Sequence, residues 1–222
     1  MGNCVEPDNV QKENQLTNET ATNNELLFLS EIQRFENKNE QLKGSLNPSF
    51  KSIVVNMNSE YKGEIRFEKA DGKGKFETNN YTYEGNWKGG KPSGYGELRY
   101  KNGSYYKGQF VNSRPEGEGE YYVAGNFEYK GHFKEGLFNG FGEVEWTNGQ
   151  KYEGQFTNGK FDGDGKFYWP DGRIFTGKYN KGKKNGPGVV ELGQNIVFEG
   201  EWIDGERVGK GVVKKNGVVI NR

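Results

Sequence analysis

The chain has 222 residues, with 31 basic and 31 acidic side chains, so its formal net charge is zero. This balance argues against nucleic-acid binding, which requires a strongly basic surface. No segment approaches the ~18 consecutive apolar residues of a membrane-spanning helix, and the single cysteine, Cys4, excludes an intramolecular disulfide.

Residues 1–23 are rich in Asn, Glu, Gln and Thr, and we predict that they are disordered. Gly2 matches the start of an N-myristoylation signal, although Glu6 stands where Ser or Thr is preferred. One myristoyl chain binds a membrane only marginally, so a second acyl chain on Cys4 would complete the anchor. The alternative is an ordinary glycine and a free thiol. No secretory signal is recognisable, and we expect a cytoplasmic protein.

Residues 24–44 show the spacing of an amphipathic helix, with a capping pair at Thr22 and Glu25 and an end at Gly44. Its apolar stripe is formed by Phe28, Leu29, Ile32, Phe35 and Leu42. The stripe covers part of the protein's own sheet in one interpretation, and binds a partner or a second copy in the other. Residues 45–60 resemble a strand that leads into the remainder of the chain.

The rest of the chain, residues 61–220, repeats with a period of 23 residues. Each copy begins with an aromatic residue: Tyr83, Tyr106, Tyr129, Tyr152, Phe175 and Phe198, with a weaker copy at Tyr61. A period of this size is typical of a stacked array in which each copy contacts its neighbours. Such an array favours a binding or scaffolding role over catalysis.

Within each copy the large residues and glycines alternate with polar residues, which is the pattern of β-strands with one apolar face. In the second copy the apolar face carries Tyr83, Gly85, Trp87, Gly94 and Gly96. We expect these glycines to leave room for the aromatic ring of the neighbouring copy. The same pattern predicts an antiparallel meander with about two strands per copy.

Turn signals separate the strands. The pairs Asn102-Gly103, Asn148-Gly149, Asp171-Gly172 and Asn216-Gly217 predict two-residue type I′ turns between copies. A longer glycine-containing loop, such as 88–93, is predicted inside each copy.

The segment 83–96, YEGNWKGGKPSGYG, resembles the MORN motif, in which tyrosine, glycine and tryptophan alternate and spaced glycines follow. The resemblance covers seven copies at 61–82, 83–105, 106–128, 129–151, 152–174, 175–197 and 198–220. It implies a single-layer, elongated and twisted antiparallel β-meander, and the separately predicted helix precedes this array. MORN arrays serve as assembly, dimerisation and membrane-apposition modules, so the resemblance does not define one function.

Two surfaces are candidates for binding. A basic loop edge that could contact anionic lipids is formed by Lys160, Lys178, Lys181, Lys183, Lys184 and Arg207; the alternative is a solvated edge that prevents aggregation. A row of loop residues that could form a partner groove includes Phe138 and Phe161; the alternative is a set of scattered apolar residues without such a role. Tyr95 and Phe141 are predicted on the polar face.

We expect no enzyme activity, no cofactor and no metal site. The only histidine, His132, lies on the polar face, so a histidine-based triad or a His-rich metal site cannot form within one chain.

The leading hypothesis is a non-catalytic scaffold that is held at the cytoplasmic face of a membrane and binds protein partners. The alternatives are a structural subunit of a ciliary axoneme or another cytoskeletal assembly, and a phosphoinositide-associated partner of a lipid kinase. Because end strands can pair between chains, a homodimer is a further expectation.

Overall fold

The computed structural model describes residues 51–56 and 59–221, with the side chains of residues 59–220. All regular structure in these residues is β-strand. The predicted tail and helix, 1–23 and 24–44, lie outside the described residues. The first strand, β1 (Lys51–Asn56), falls within the predicted lead-in segment 45–60.

The strands group into two compact units, which divide the described chain between residues 137 and 138. The first unit contains β1, β2 (Ser59–Arg66), β3 (Lys69–Thr78), β4 (Tyr81–Lys88), β5 (Lys91–Tyr100), β6 (Tyr105–Val111), β7 (Arg114–Val123) and β8 (Phe127–Lys134). The second contains β9 (Leu137–Trp146, from its second residue), β10 (Lys151–Thr157), β11 (Lys160–Tyr168), β12 (Ile174–Asn180), β13 (Lys183–Gly193), β14 (Ile196–Ile203), β15 (Glu206–Lys215) and β16 (Val218–Asn221).

Within each unit, every strand pairs antiparallel with the next strand in the chain. Each copy of the repeat supplies two of these strands. The predicted meander with two strands per copy is therefore confirmed in both units.

A row of glycines crosses the strands. Gly85 stands opposite Gly74 on one side and opposite Gly96 on the other. The space above the row is filled by the aromatic residue that opens each copy, since a Cβ added to Gly85 would lie 2.6 Å from the Tyr83 hydroxyl. The glycines do leave room for an aromatic ring, as predicted. That ring belongs to the same copy, however, and not to the neighbouring one.

A bulge next to the glycine row bends each hairpin. In the second unit Gly154 stands opposite Gly165, but the next pair is Phe156 with Phe161, so three residues of β11 face one residue of β10. Gly163, inside this bulge, has a φ of +99°, which an L side chain rarely adopts. Bulges of this kind bend a strand and increase its twist.

The bend closes the apolar face on itself. Trp146, the last residue of β9, lies 6.3 Å from Phe161, the second residue of β11, measured between ring centroids. In straight strands these residues would stand roughly 25 Å apart, at about 3.3 Å per residue. The sheet therefore does not stay flat, and its apolar side chains are buried: Tyr152, Phe156, Phe161 and Phe167 are at most 3 % exposed.

The turn types differ from the prediction. The two-residue type I′ turns lie mainly inside the copies, as at Asn158-Gly159, where φ is +50° and +75°. Between copies, Gly149 has positive φ while Asn148 does not, and Gly149 N–H donates to the Trp146 carbonyl. This is a three-residue loop with a type I turn and a left-handed glycine, in which Asn148 Oδ1 accepts from Gln150 N–H at 2.9 Å. Of the four predicted type I′ pairs, Asn216-Gly217 has positive φ at both residues.

Candidate interaction surfaces

The interior of the array is a ladder of aromatic rings. In five of the copies, the second large residue packs edge-to-face on its own copy's first aromatic and on that of the preceding copy. Phe110, for example, lies 5.0 Å from Tyr106 and 5.1 Å from Tyr83. The corresponding contacts are Trp87 with Tyr83 and Tyr61, Phe133 with Tyr129 and Tyr106, Tyr179 with Phe175 and Tyr152, and Trp202 with Phe198 and Phe175. Edge-to-face geometry is favourable for aromatic pairs.

The tyrosine hydroxyls add a second repeated contact. Each donates a hydrogen bond to the carbonyl oxygen three residues later: Tyr61 to Glu64, Tyr83 to Asn86, Tyr106 to Gln109, Tyr129 to His132 and Tyr152 to Gln155, at 2.9–3.0 Å. Burial is the largest cause that raises the pKa of all five hydroxyls. These groups are occupied with holding the fold, so the ladder is structural.

The loop row that was a candidate partner groove is partly inside the fold. Phe138 and Phe161 are 4 % and 2 % exposed. Phe161 stacks on Tyr152 with ring centroids 3.6 Å apart. The prediction of an exposed aromatic row is therefore wrong for these two residues, because the bend turns this position toward the apolar side.

The predicted basic edge is also divided by the bend. Lys184 occupies the repeat position of Phe138 and Phe161 and is 8 % exposed, with Nζ 4.8 Å from the centroid of Trp169 and 4.7 Å from that of Phe175. These are cation–π contacts, and they remove Lys184 from any lipid-facing edge.

The other five basic residues are exposed, and three of them have partners. Lys178 pairs with Asp164 at 3.1 Å and Lys183 with Asp204 at 4.0 Å. The guanidinium of Arg207 lies 4.9 Å above the ring of Phe198. Lys160 and Lys181 are exposed. The structure thus does not bring the six cations together as one patch.

The face of the sheet opposite the ladder, which we call the outer face, carries the polar residues. Two exposed aromatics interrupt it: Tyr95 is 54 % and Phe141 69 % exposed. Each is the middle residue of a Gly-x-Gly pair, and both were predicted on this face. Other copies carry Lys73 and Glu118 at the same position.

Tyrosine–carboxylate pairs also lie on the outer face. The Tyr168 hydroxyl donates to Glu153 at 2.8 Å, and Lys151 Nζ lies 2.7 Å from the same carboxylate. The hydrogen bond from Lys151 is the largest cause that lowers the pKa of Glu153. Similarly, Tyr105 donates to Glu120 at 2.7 Å, and desolvation followed by this bond raises the pKa of Tyr105 to about 12.

The sequence analysis missed the residues that fill the bulges. Gln155 Oε1 accepts a hydrogen bond from Asp164 N–H at 3.1 Å, and Glu64 Oε1 accepts from Lys73 N–H at 2.9 Å. The sequence signal was the recurring polar residue after the first glycine of each copy, at Glu64, Asn86, Gln109 and Gln155. These side chains satisfy backbone groups that the bulge frees from the ladder.

Two other kinds of site are absent from the described residues. No three His, Cys, Asp or Glu side chains there are arranged to hold a metal ion. Nor does this part of the chain contain a helix that could span a bilayer.

Within each unit, hairpins of one design are stacked in chain order and joined by an aromatic ladder. This arrangement defines a β-hairpin repeat protein. The MORN repeat family model matches residues 83–105, 106–127, 129–151, 152–172, 175–191 and 198–217, which together make up more than half of the chain. The chain therefore belongs to the MORN-repeat family. The match comprises six repeats; residues 61–82, the predicted seventh copy, form the β2–β3 hairpin with the same tyrosine–carbonyl bond.

Among solved structures, the chain is similar to the SAS-4 (dCPAP) TCP domain of Drosophila melanogaster, solved in complex with a proline-rich motif of Ana2 (dSTIL). The two share 15% sequence identity, with 82% of this chain and 95% of that chain covered and a TM-score of 0.45.

Proposed function

We propose that this chain is a non-catalytic MORN-repeat scaffold that binds protein partners on the outer face of its sheet and is held at the cytoplasmic face of a membrane by acyl chains on Gly2 and Cys4. The repeat family supports the scaffolding role, because repeat arrays offer extended surfaces on which partners bind.

The single observation that favours a protein partner is the pair of exposed aromatics, Tyr95 and Phe141. Large aromatic residues are enriched at the energetic centres of protein interfaces. Each stands between two glycines, so the backbone beside it carries no side chain that would obstruct a partner. The interior aromatics are buried in the ladder and cannot serve this role.

The division of the basic edge favours a protein partner over a lipid partner. Lys184 is buried, and Lys178 is paired with Asp164. Anionic lipid attraction is worth about 1 kcal/mol per unpaired base near the surface, so these two residues add little to such attraction.

The tether is tested with an alkyne analogue of myristate, by comparing the full chain with the Gly2→Ala variant in cells. We expect label on the native chain, membrane association, and release of the variant into the soluble fraction. A Cys4→Ser variant should keep the label but bind membranes less firmly, because one chain is a marginal anchor. An unlabelled protein that stays in the detergent-insoluble pellet would reject the tether and indicate a cytoskeletal subunit.

The partner surface is tested with the double variant Tyr95→Lys and Phe141→Glu, whose new residues are of the kind that other copies carry at this position. Partners identified by proximity labelling of the native chain should be lost from the variant. Lys73→Ala with Glu118→Ala is the matched control, since it alters the same repeat position without removing an aromatic. Equal loss in the control would contradict the role of the aromatics.

A further inference from the structure

The sequence contains six Asn-Gly pairs, and the structure places them in different surroundings. Four lie in turns between strands: Asn102-Gly103, Asn148-Gly149, Asn158-Gly159 and Asn216-Gly217. The other two lie inside strands β9 and β13: Asn139-Gly140 and Asn185-Gly186. These pairs have a chemistry of their own, because the backbone nitrogen that follows an asparagine can attack its side-chain amide, and a glycine there has no side chain to obstruct the approach.

The reaction is deamidation, which makes asparagine one of the thermolabile residues. The glycine nitrogen loses its proton to hydroxide and bonds to the asparagine Cγ, while the side-chain nitrogen takes a proton from water and leaves as ammonia. Water then opens the resulting succinimide ring at either of its two carbonyl carbons. The products are aspartate and isoaspartate, and in isoaspartate the backbone runs through the former side-chain carbon. Water is the only co-reactant.

The attack requires a free glycine nitrogen, and in three of the four turns that nitrogen is engaged. Its N–H donates to a backbone carbonyl: Gly103 to Tyr100 at 3.0 Å, Gly149 to Trp146 at 2.9 Å, and Gly159 to Phe138 at 2.8 Å. The Gly217 N–H, in contrast, has no hydrogen bond among the described residues. In the two pairs inside strands, Gly140 and Gly186 are paired with a neighbouring strand, which holds the backbone against the rotation that the attack requires.

Two of the turns form a matched comparison. Asn158-Gly159 and Asn216-Gly217 are both two-residue type I′ turns, with φ of +50° and +75° in the first and +49° and +79° in the second. Gly159 is buried, and its N–H is bound to the preceding copy. Gly217 is exposed, and a Cβ at this position would have nothing within 4 Å. The conformation of the two turns is thus the same, and the accessibility of the glycine nitrogen differs.

The hairpin that contains Asn216 is also weakly held. Among the described strands, the four-residue β16 pairs with β15 alone. Its side chains contribute little burial, since Val218, Val219 and Ile220 are 66 %, 41 % and 58 % exposed. Segments with few buried apolar contacts and exposed backbone hydrogen bonds open at the lowest free energy. Such opening allows the backbone rotation that brings the Gly217 nitrogen to the Asn216 side chain.

We propose that Asn216 is a deamidation site, which reacts faster than the other Asn-Gly pairs of the described chain, and that the isoaspartate formed there releases β16 from the sheet. This inference goes beyond the proposed function and does not depend on it. Isoaspartate adds a carbon atom to the backbone of a turn that sets Lys215 opposite Val218, so the hairpin can no longer close in this register. The contact between copies in which Asn195 Nδ2 donates to Asn216 Oδ1 at 3.1 Å is then lost as well.

The experiment is incubation of the full chain in mildly alkaline buffer, with peptide mass spectrometry at intervals, because each conversion raises the mass of the peptide that contains it. Fragmentation of the peptides assigns the site. We expect Asn216 in the folded chain to be converted at least ~10-fold faster than Asn158, whose turn is protected. In concentrated urea, where both turns are lost, the two should react at similar rates. An Asn216 that reacts no faster than Asn158 in the folded chain would overturn the site.

Release of β16 is measured by hydrogen exchange at the amides of 218–221. The control is Asn216→Gly, which has no side-chain amide and suits the positive φ of this turn, since Gly-Gly also forms type I′ turns. After the same incubation, the amides of β16 should exchange faster in the native chain than in the variant, while circular dichroism checks that both remain folded. A native chain that has been converted at Asn216, but whose β16 amides are as protected as those of the variant, would overturn the release.

Discussion

The Tyr152 hydroxyl donates a 3.0 Å hydrogen bond to the backbone carbonyl of Gln155, across the residue at which the hairpin begins to bend. The same side chain packs over the glycine row, and its ring lies 5.2 Å from Phe156. One tyrosine thus ties the bend to the ladder. The last two copies open with Phe175 and Phe198, which lack the hydroxyl.

Removing the ring hydroxyl from Tyr152 and adding one to Phe175 should change the free energy of unfolding in opposite directions. Tyr152→Phe keeps the ring but leaves the Gln155 carbonyl without this hydrogen bond, which is part-buried, and we expect it to lower the free energy of unfolding by about 1 kcal/mol. Phe175→Tyr should raise it by up to about the same amount, by providing a donor for the Lys178 carbonyl. Urea denaturation of both variants checks this. Equal shifts of the same sign would contradict the role of the hydrogen bond.

A methyl group in the glycine row should be poorly tolerated. A Cβ on Gly154 would lie 2.5 Å from the Tyr152 hydroxyl and 2.7 Å from the Asp164 carbonyl oxygen, and backbone cannot move aside cheaply. We expect Gly154→Ala to destabilise the chain by about 1–3 kcal/mol, as overpacking does.

Gly172→Ala is the comparison for the Gly154 variant. Nothing lies within 4 Å of a Cβ at Gly172, where φ is +87°. Its cost should be limited to that of the left-handed conformation, about 1 kcal/mol. If thermal melting shows the Gly172 variant to be the less stable of the two, crowding by the tyrosine is not the reason for the glycine row.

Replacing Ser113 with glycine should stabilise the chain. It occupies the second position of a type I′ turn with a φ of +71°, it is 3 % exposed, and its buried Oγ has no hydrogen-bond partner among the described residues. The equivalent residue one copy later is Gly136, with a φ of +85°. Both N–H groups donate to the carbonyl of a proline in the preceding copy, at 2.9 Å.

We therefore expect Ser113→Gly to raise the free energy of unfolding by about 1 kcal/mol, from relief of the left-handed strain and of the unsatisfied hydroxyl. The reciprocal change, Gly136→Ser, should lower it by a similar amount. Denaturant midpoints of the two variants test the pair, and a gain in the reciprocal variant would be inconsistent with this account.

Alkaline solution should unfold the array. The five ladder tyrosines have raised pKa values in the folded chain, chiefly because of burial. In the unfolded chain their pKa is about 10. The folded state therefore keeps protons that the unfolded state gives up, so their stabilisation is complete below pH ~10 and is lost as pH rises toward the folded-state pKa.

Denaturation midpoints measured across this alkaline range, together with tyrosinate absorbance, test the effect. We expect stability to fall as pH increases, with late ionisation of the buried tyrosines accompanying unfolding. A constant midpoint would show that the hydroxyls are as accessible in the folded chain as in the unfolded one.

Local pattern was enough to predict the strands, and not enough to predict the bend. Alternation of Tyr83, Gly85 and Trp87 identifies a strand and its apolar face, because that period is a property of the backbone. The bulge at Gly163 depends on pairing between strands, which a single strand's pattern does not record. Because the sequence analysis did not predict the bend, it placed Phe161 and Lys184 in loops at an edge, although both side chains are buried.

The predicted turn types between copies were wrong for a related reason. An Asn-Gly pair suits a type I′ turn, and it equally suits a type I turn followed by a left-handed glycine. At Asn148-Gly149 the second arrangement occurs, and the register of β9 and β10 decides between them.

The order of the strands also determines how the array responds to mechanical load. Because each strand in a unit pairs with its neighbour in the chain, tension applied along the chain would peel hydrogen bonds from an edge one after another, and would not have to break a whole strand pair at once. Each repeat so released would lengthen the chain by about 75 Å, at roughly 3.3 Å per residue. A scaffold built this way yields in steps, and lengthens under force while the copies beyond the peeling edge stay folded.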